Sequence, residues 1–99
     1  MVIIVGTLTV DPAQRDAFVA GRIEAMKHSR SEEGCITYAI TADPIEADTV
    51  LVTERWASQA ALDAHAKAMR EAAKNGPPMA FNVLGRELTV YEVASSRPL

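Results

Sequence analysis

The sequence predicts an α+β domain of βαββαβ order, the split arrangement of the ferredoxin-like class, with two helices on one face of an antiparallel four-stranded sheet. Three observations carry this prediction. A β-branched run, Val2 to Val10, stops at Asp11-Pro12 and gives way to helical periodicity. Two further strand-like runs, Cys35 to Ala42 and Thr49 to Trp56, are separated by only a short polar loop. A second amphipathic helix then leads to a final strand, Val83 to Ala94.

The first strand, VIIVGTLTV, carries Val2, Ile4 and Leu8 on one face and Ile3 and Val5 on the other. Asp11-Pro12-Ala13-Gln14 has capping-box spacing, so a helix is expected from Pro12 to about Glu32, with Phe18, Val19, Ile23, Ala25 and Met26 on one side. Gly34 follows in the position that ends helices. In the second strand Ile36, Tyr38 and Ile40 alternate with Cys35, Thr37 and Thr41. Asp43 to Asp48 makes the turn into the third strand, where Val50 and Val52 oppose Leu51. Ser58 is placed to cap the second helix, which is expected to break or kink before Gly76-Pro77-Pro78. Two helices cover only one face of such a sheet, and both faces are apolar. A second copy of the chain, packed sheet on sheet, would bury the other.

A length of 99 residues is read as one domain spanning 1–99, with 95–99 as a short tail. Hydrophobic residues make up 48% and charged residues 23%, a globular balance that argues against long disorder. The net charge of −3, with Lys and Arg scattered singly, gives no basic stripe for nucleic acid. The single cysteine has no disulfide partner, and no secretory signal or membrane-length apolar run is present, so the expected compartment is the cytoplasm. The glycines are isolated and form no phosphate loop, and no His/Cys set has metal-ligand spacing, so neither cofactor nor metal is expected.

His65 is the first candidate for chemistry. It shares a helical side with Leu62, Ala66, Met69, Ala72 and Ala73 and so points toward the sheet. An imidazole there can move a proton near neutral pH, or it can be a core histidine satisfied by a backbone carbonyl or by Tyr38. Arg15, Arg22 and Ser29 fall within the arc of Phe18 and Met26. Arg22 can hold a ligand oxygen, or run past the sheet edge to a carboxylate such as Glu54. Glu54 and Trp56 share one face of the third strand, which meets either the helices or a partner. Tyr38 is either a phenol donor in a pocket or a cross-strand neighbour of Trp56. Cys35 reads as a small buried hydrophobe rather than a nucleophile.

Gly34-Cys35-Ile36-Thr37-Tyr38, then Glu54-Arg55-Trp56, then Ser58 with Ala61-Leu62-Asp63-Ala64-His65, resemble in order and spacing the antibiotic biosynthesis monooxygenase family of small dimeric α/β barrels. The resemblance runs over nearly the whole chain. It implies a homodimer through the sheet faces, a pocket between sheet and helices, and oxygenation by O₂ of a quinol or small polycyclic phenol without metal or flavin. It makes His65 and Tyr38 the catalytic candidates, with Trp56, Arg22, Met26, Met69 and Phe18 around the substrate. The chain departs from several members: Val52 stands where polyketide-oxidising members have Asn, and Arg70 where many have a second His. Haem degraders use an Asn in strand one and a Trp on helix two, whereas this chain has Gly6-Thr7 and no such Trp, which disfavours haem. Two other readings stand beside the monooxygenase: a proton-transfer isomerase of small carbonyl compounds, and a non-catalytic ligand-binding or stress-related dimer.

Overall fold

The computed structural model describes residues 1–77 and 82–99. Its elements are β1 (Val2–Val10), α1 (Arg15–Ala20), α2 (Ile23–Ser31), β2 (Cys35–Ala42), β3 (Thr49–Trp56), α3 (Gln59–Asn75) and β4 (Val83–Glu92). The four strands form one sheet in the order β2-β3-β1-β4, every neighbouring pair antiparallel. This is the ferredoxin-like α+β arrangement that the βαββαβ order predicts.

The first helical region is two helices rather than one. The Asp11 side chain accepts from the Ala13 amide and its carbonyl from Gln14, so Pro12 to Gln14 form a turn and helix begins only at Arg15. The second interruption is at Gly21. The Arg22 amide bonds back to the Val19 carbonyl at 3.0 Å, a tightened three-residue closure, and α2 restarts at Ile23. Glycine weakens the helix at that point, and the bend lets both segments follow the twisted sheet. The hairpin loop is clamped by Arg15, whose Nη1 donates to the carbonyls of Asp43 and Glu46 at 2.8 Å each.

At the start of β2, Cys35 and Thr37 pair with the consecutive residues Trp56 and Arg55, leaving one extra residue on β2. This bulge turns Ile36 outward, 48% exposed, although simple alternation places it beside Tyr38; Cys35 and Tyr38 both stay on the helix side. Ser58 caps α3 by accepting from the Ala61 amide at 3.1 Å, and α3 ends at Gly76. Pro78, expected to help stop that helix, lies outside the described residues.

The core lies between helices and sheet. Val2, Leu8 and Val10, Tyr38 and Ile40, and Val50, Val52 and Trp56 meet Phe18 and Leu62 there. The helices pack chiefly over β2 and β3, so the inner side of β4 stays open, with Leu88 and Val90 exposed. On the outer face Val5 and Tyr91 are exposed and Ile3 and Leu51 half-buried. No described helix is long and apolar enough to cross a membrane.

Candidate functional site

The strand register lays out a floor. One row crosses the sheet as Val90, Ile4, Glu54 and Tyr38, and the next as Leu88, Gly6, Val52 and Ile40. A third row brings Arg86, Leu8 and Val50 side by side. In the middle of this floor a side chain on Gly6 would run into the Glu87 carbonyl of β4, so glycine is what permits the two strands to approach. Above the floor, Phe18, Arg22, Leu62, His65, Met69 and Arg70 close a cavity of ≈ 450 Å³. That exceeds the roughly 300 Å³ that small-molecule sites generally need.

His65 is the pivot of the polar groups. α3 brings it over the sheet because Leu62 and His65 lie one turn apart on its buried side. Nδ1 lies 2.7 Å from Oε1 of Glu32, with the two side chains 6% and 19% exposed. Nε2 faces Oε1 of Glu54 at 4.0 Å. The same Glu54 oxygen accepts from the Trp56 indole N–H at 3.0 Å, which fixes a buried carboxylate otherwise costly to desolvate. The imidazole packs against Trp56, with ring centroids 4.6 Å apart, and edge-on to Tyr38 at 5.3 Å. An ionised Glu32 selects the tautomer with hydrogen on Nδ1 and leaves the Nε2 lone pair on the Glu54 side, where both residues line the cavity.

The Tyr38 phenol is pushed above its ordinary value, first by burial and then by the negative charge of Glu54; Arg22 and Ser29 beside it pull the other way. At neutral pH it therefore acts as a hydrogen-bond donor. Burial, with Glu32 and Glu54 adding to it, raises the Cys35 thiol as well, which keeps it from becoming a thiolate nucleophile.

Of the residues singled out from the sequence, His65, Tyr38, Arg22, Met69 and Phe18 line one cavity. Glu54 and Trp56 face the helices, but Trp56 is fully buried behind His65 and is not on the cavity wall. Met26 is likewise set back, packed on the core with its sulfur accepting from the Ile40 amide at 3.3 Å. Arg22 makes no ion pair among the described residues, so its run to Glu54 does not form. Sequence reasoning missed Glu32, 33 positions from His65, and Arg86. The one available signal for Glu32 was its place two residues before Gly34. The positive φ of Gly34, 82°, turns the chain under Ala61, one turn before His65 on α3. Among the described residues no three His, Cys, Asp or Glu side chains are grouped as metal ligands would be.

The profile of the antibiotic biosynthesis monooxygenase family matches residues 1–74. YcnE of Bacillus subtilis, which bears the name of a monooxygenase, is 29% identical over 66% of this chain and 68% of its own length. A Deinococcus radiodurans protein described as an antibiotic biosynthesis monooxygenase superposes with a TM-score of 0.71 at 24% identity, covering 100% of this chain and 98% of that one. The haem degrader MhuD of Mycobacterium tuberculosis, solved with two haems in its active site, superposes with a TM-score of 0.77 at 16% identity over 99% and 100% of the two chains. At these identities the two structures speak for the fold.

Proposed function

The chain belongs to the antibiotic biosynthesis monooxygenase family, and from that premise we propose that it oxygenates a quinol or small polycyclic phenol with O₂ in the cavity beneath its helices. The observation that carries this reading is one buried imidazole on the wall of an apolar cavity, its Nδ1 2.7 Å from a carboxylate oxygen. Nε2 takes the proton of the substrate hydroxyl, and the resulting imidazolium lies between Glu32 and Glu54. The Tyr38 phenol donates to a substrate oxygen. The apolar walls keep water from the substrate anion, which transfers an electron to O₂; recombination gives a carbon-bound peroxide. The imidazolium returns its proton to the distal peroxide oxygen; the ring carbon then loses its hydrogen as the O–O bond breaks, which leaves a carbonyl, so one oxygen atom enters the quinone and the other leaves as water. The substrate supplies the electrons.

Oxygen uptake by the purified protein with a series of hydroquinones, compared with His65→Ala, tests this proposal. A rate at least about tenfold lower in the variant is expected; equal rates would remove His65 from the chemistry. Turnover that proceeds equally without oxygen would instead favour the isomerase. The same reading includes a homodimer in which the outer face, with Ile3, Val5, Leu51 and Tyr91, meets a second copy. Sedimentation equilibrium should give twice the monomer mass, and Val5→Lys should lower it.

A further inference from the structure

Three arginines from three different elements open onto the cavity: Arg22 at the N-cap of α2, Arg70 on α3 and Arg86 on β4. None has an ion-pair partner among the described residues. Among the described residues the only carboxylate on the cavity wall is Glu54, whose oxygen is already held by the Trp56 indole. A chain of net charge −3 thus keeps around this cavity three guanidinium groups that have no ion-pair partner among the described residues. Chance scatter of charge on an acidic protein would tend to neutralise them, because acidic side chains outnumber basic ones by 13 to 10.

Their placement gives the cavity a direction. Tyr38, Glu54 and Ile4 form the row beneath His65, while Arg86 lies opposite Leu8, four residues farther along β1. Four residues of strand span roughly 13 Å, the length of a two- or three-ring aromatic with one substituent. Arg70 and Arg86 are exposed, whereas Arg22 is half-buried beside the Tyr38 hydroxyl. The polar groups therefore run from a proton-handling end, where Arg22 joins His65 and Tyr38, to an exposed rim that carries Arg70 and Arg86, with Val52 and Leu88 in the row between.

Resting on the cavity being the ligand site, we propose that the substrate is an anionic amphiphile: an aromatic ring system lying near His65 whose carboxylate or phosphate is held by Arg70 and Arg86. Guanidinium forks match both oxyanions, and a neutral quinol would offer Arg70 and Arg86 no counter-charge. The absence of a compensating acid makes the site select for charge as well as shape.

Calorimetric titration at low salt with 2-naphthol, 2-naphthoate and 2-naphthyl phosphate tests this, in the unmodified protein and in the Arg70→Gln/Arg86→Gln variant. At least one anion should bind about tenfold or more tightly than 2-naphthol. That advantage should fall to about threefold or less in the variant, while 2-naphthol binds both proteins equally and so reports that the variant is folded. Whichever of the two anions gains more identifies the oxyanion as carboxylate or phosphate. Anions binding no more tightly than 2-naphthol, or an advantage that survives the double substitution, would overturn the anion site and leave the oxygenase reading standing. Binding of none of the three probes would overturn both.

Discussion

Replacing Glu32 tests how His65 is held. The Nδ1–Oε1 contact of 2.7 Å joins two largely buried side chains, so it has the length and setting of a charge-assisted hydrogen bond. Such a bond contributes about 1.5–3 kcal/mol, equivalent to about 10- to 100-fold in rate if it is made fully only when His65 carries the substrate proton. Glu32→Ala should therefore lower kcat for hydroquinone-dependent oxygen uptake by about 10- to 100-fold with KM changed less than about threefold. Glu32→Gln keeps an acceptor for Nδ1–H but not the charge, and should recover the tautomer without recovering the full rate. The ¹⁵N resonances of the imidazole report the tautomer directly and need no substrate. In the unmodified protein Nδ1 should carry the hydrogen; in Glu32→Ala the two tautomers should mix. Combining Glu32→Ala with His65→Ala should cost no more than His65→Ala alone, because Glu32 acts only through the ring. Additive losses, or an unchanged tautomer in Glu32→Ala, would refute the reasoning.

Two further outcomes follow from the same packing. Burial holds the Tyr38 phenol above 10.0, the ordinary value that the unfolded chain regains, so the folded protein keeps a proton that the unfolded one releases. Its contribution is fully present below that value and is lost as pH rises, by up to ~1.4 kcal/mol per pH unit until the folded phenol ionises; urea unfolding between neutral pH and pH 11 should show this slope in the unmodified protein and a shallower one in Tyr38→Phe. A Cβ on Gly34 would lie 2.5 Å from the Ala61 Cβ, at a φ of +82°. Gly34→Ala should destabilise by ~2–5 kcal/mol from left-handed strain and overpacking together, and Ala61→Gly should restore only the packing part, read from urea midpoints.

The order of elements was legible because each carries its own punctuation. Asp11-Pro12, Gly34 and Ser58 mark boundaries by local chemistry that does not depend on the rest of the fold, and the strand and helix periods differ enough to read. What was not legible is where a local preference is overruled by a neighbour. Gln14 completes a capping box in sequence, yet Asp11 uses its side chain for a turn and the helix starts later. Gly21 looks like a tolerable interior glycine until the twist of the sheet asks the helix to bend there. The bulge after Cys35 is set by how β2 meets β3, and it reverses the face of Ile36 without any mark in the residues themselves.

The site divides along the same line. His65 and Tyr38 could be chosen because an imidazole or a phenol on an apolar stripe is conspicuous within its own element. Glu32 could not: it sits at the end of a polar helix among Arg30, Ser31 and Glu33, where a solvent role is the ordinary expectation, and only the turn at Gly34 carries it to His65. The same holds for Arg86, a charge next to Glu87 on its strand that nothing local marks until β4 pairs with β1 and sets it opposite Leu8. Side chains that supply reactive atoms declare themselves by being out of place locally. Side chains that position or select act across elements, and long-range pairing alone makes them part of the site. Substitution studies confined to His65 and Tyr38 would therefore sample the proposed chemistry but not the residues proposed to aim it and to choose its substrate.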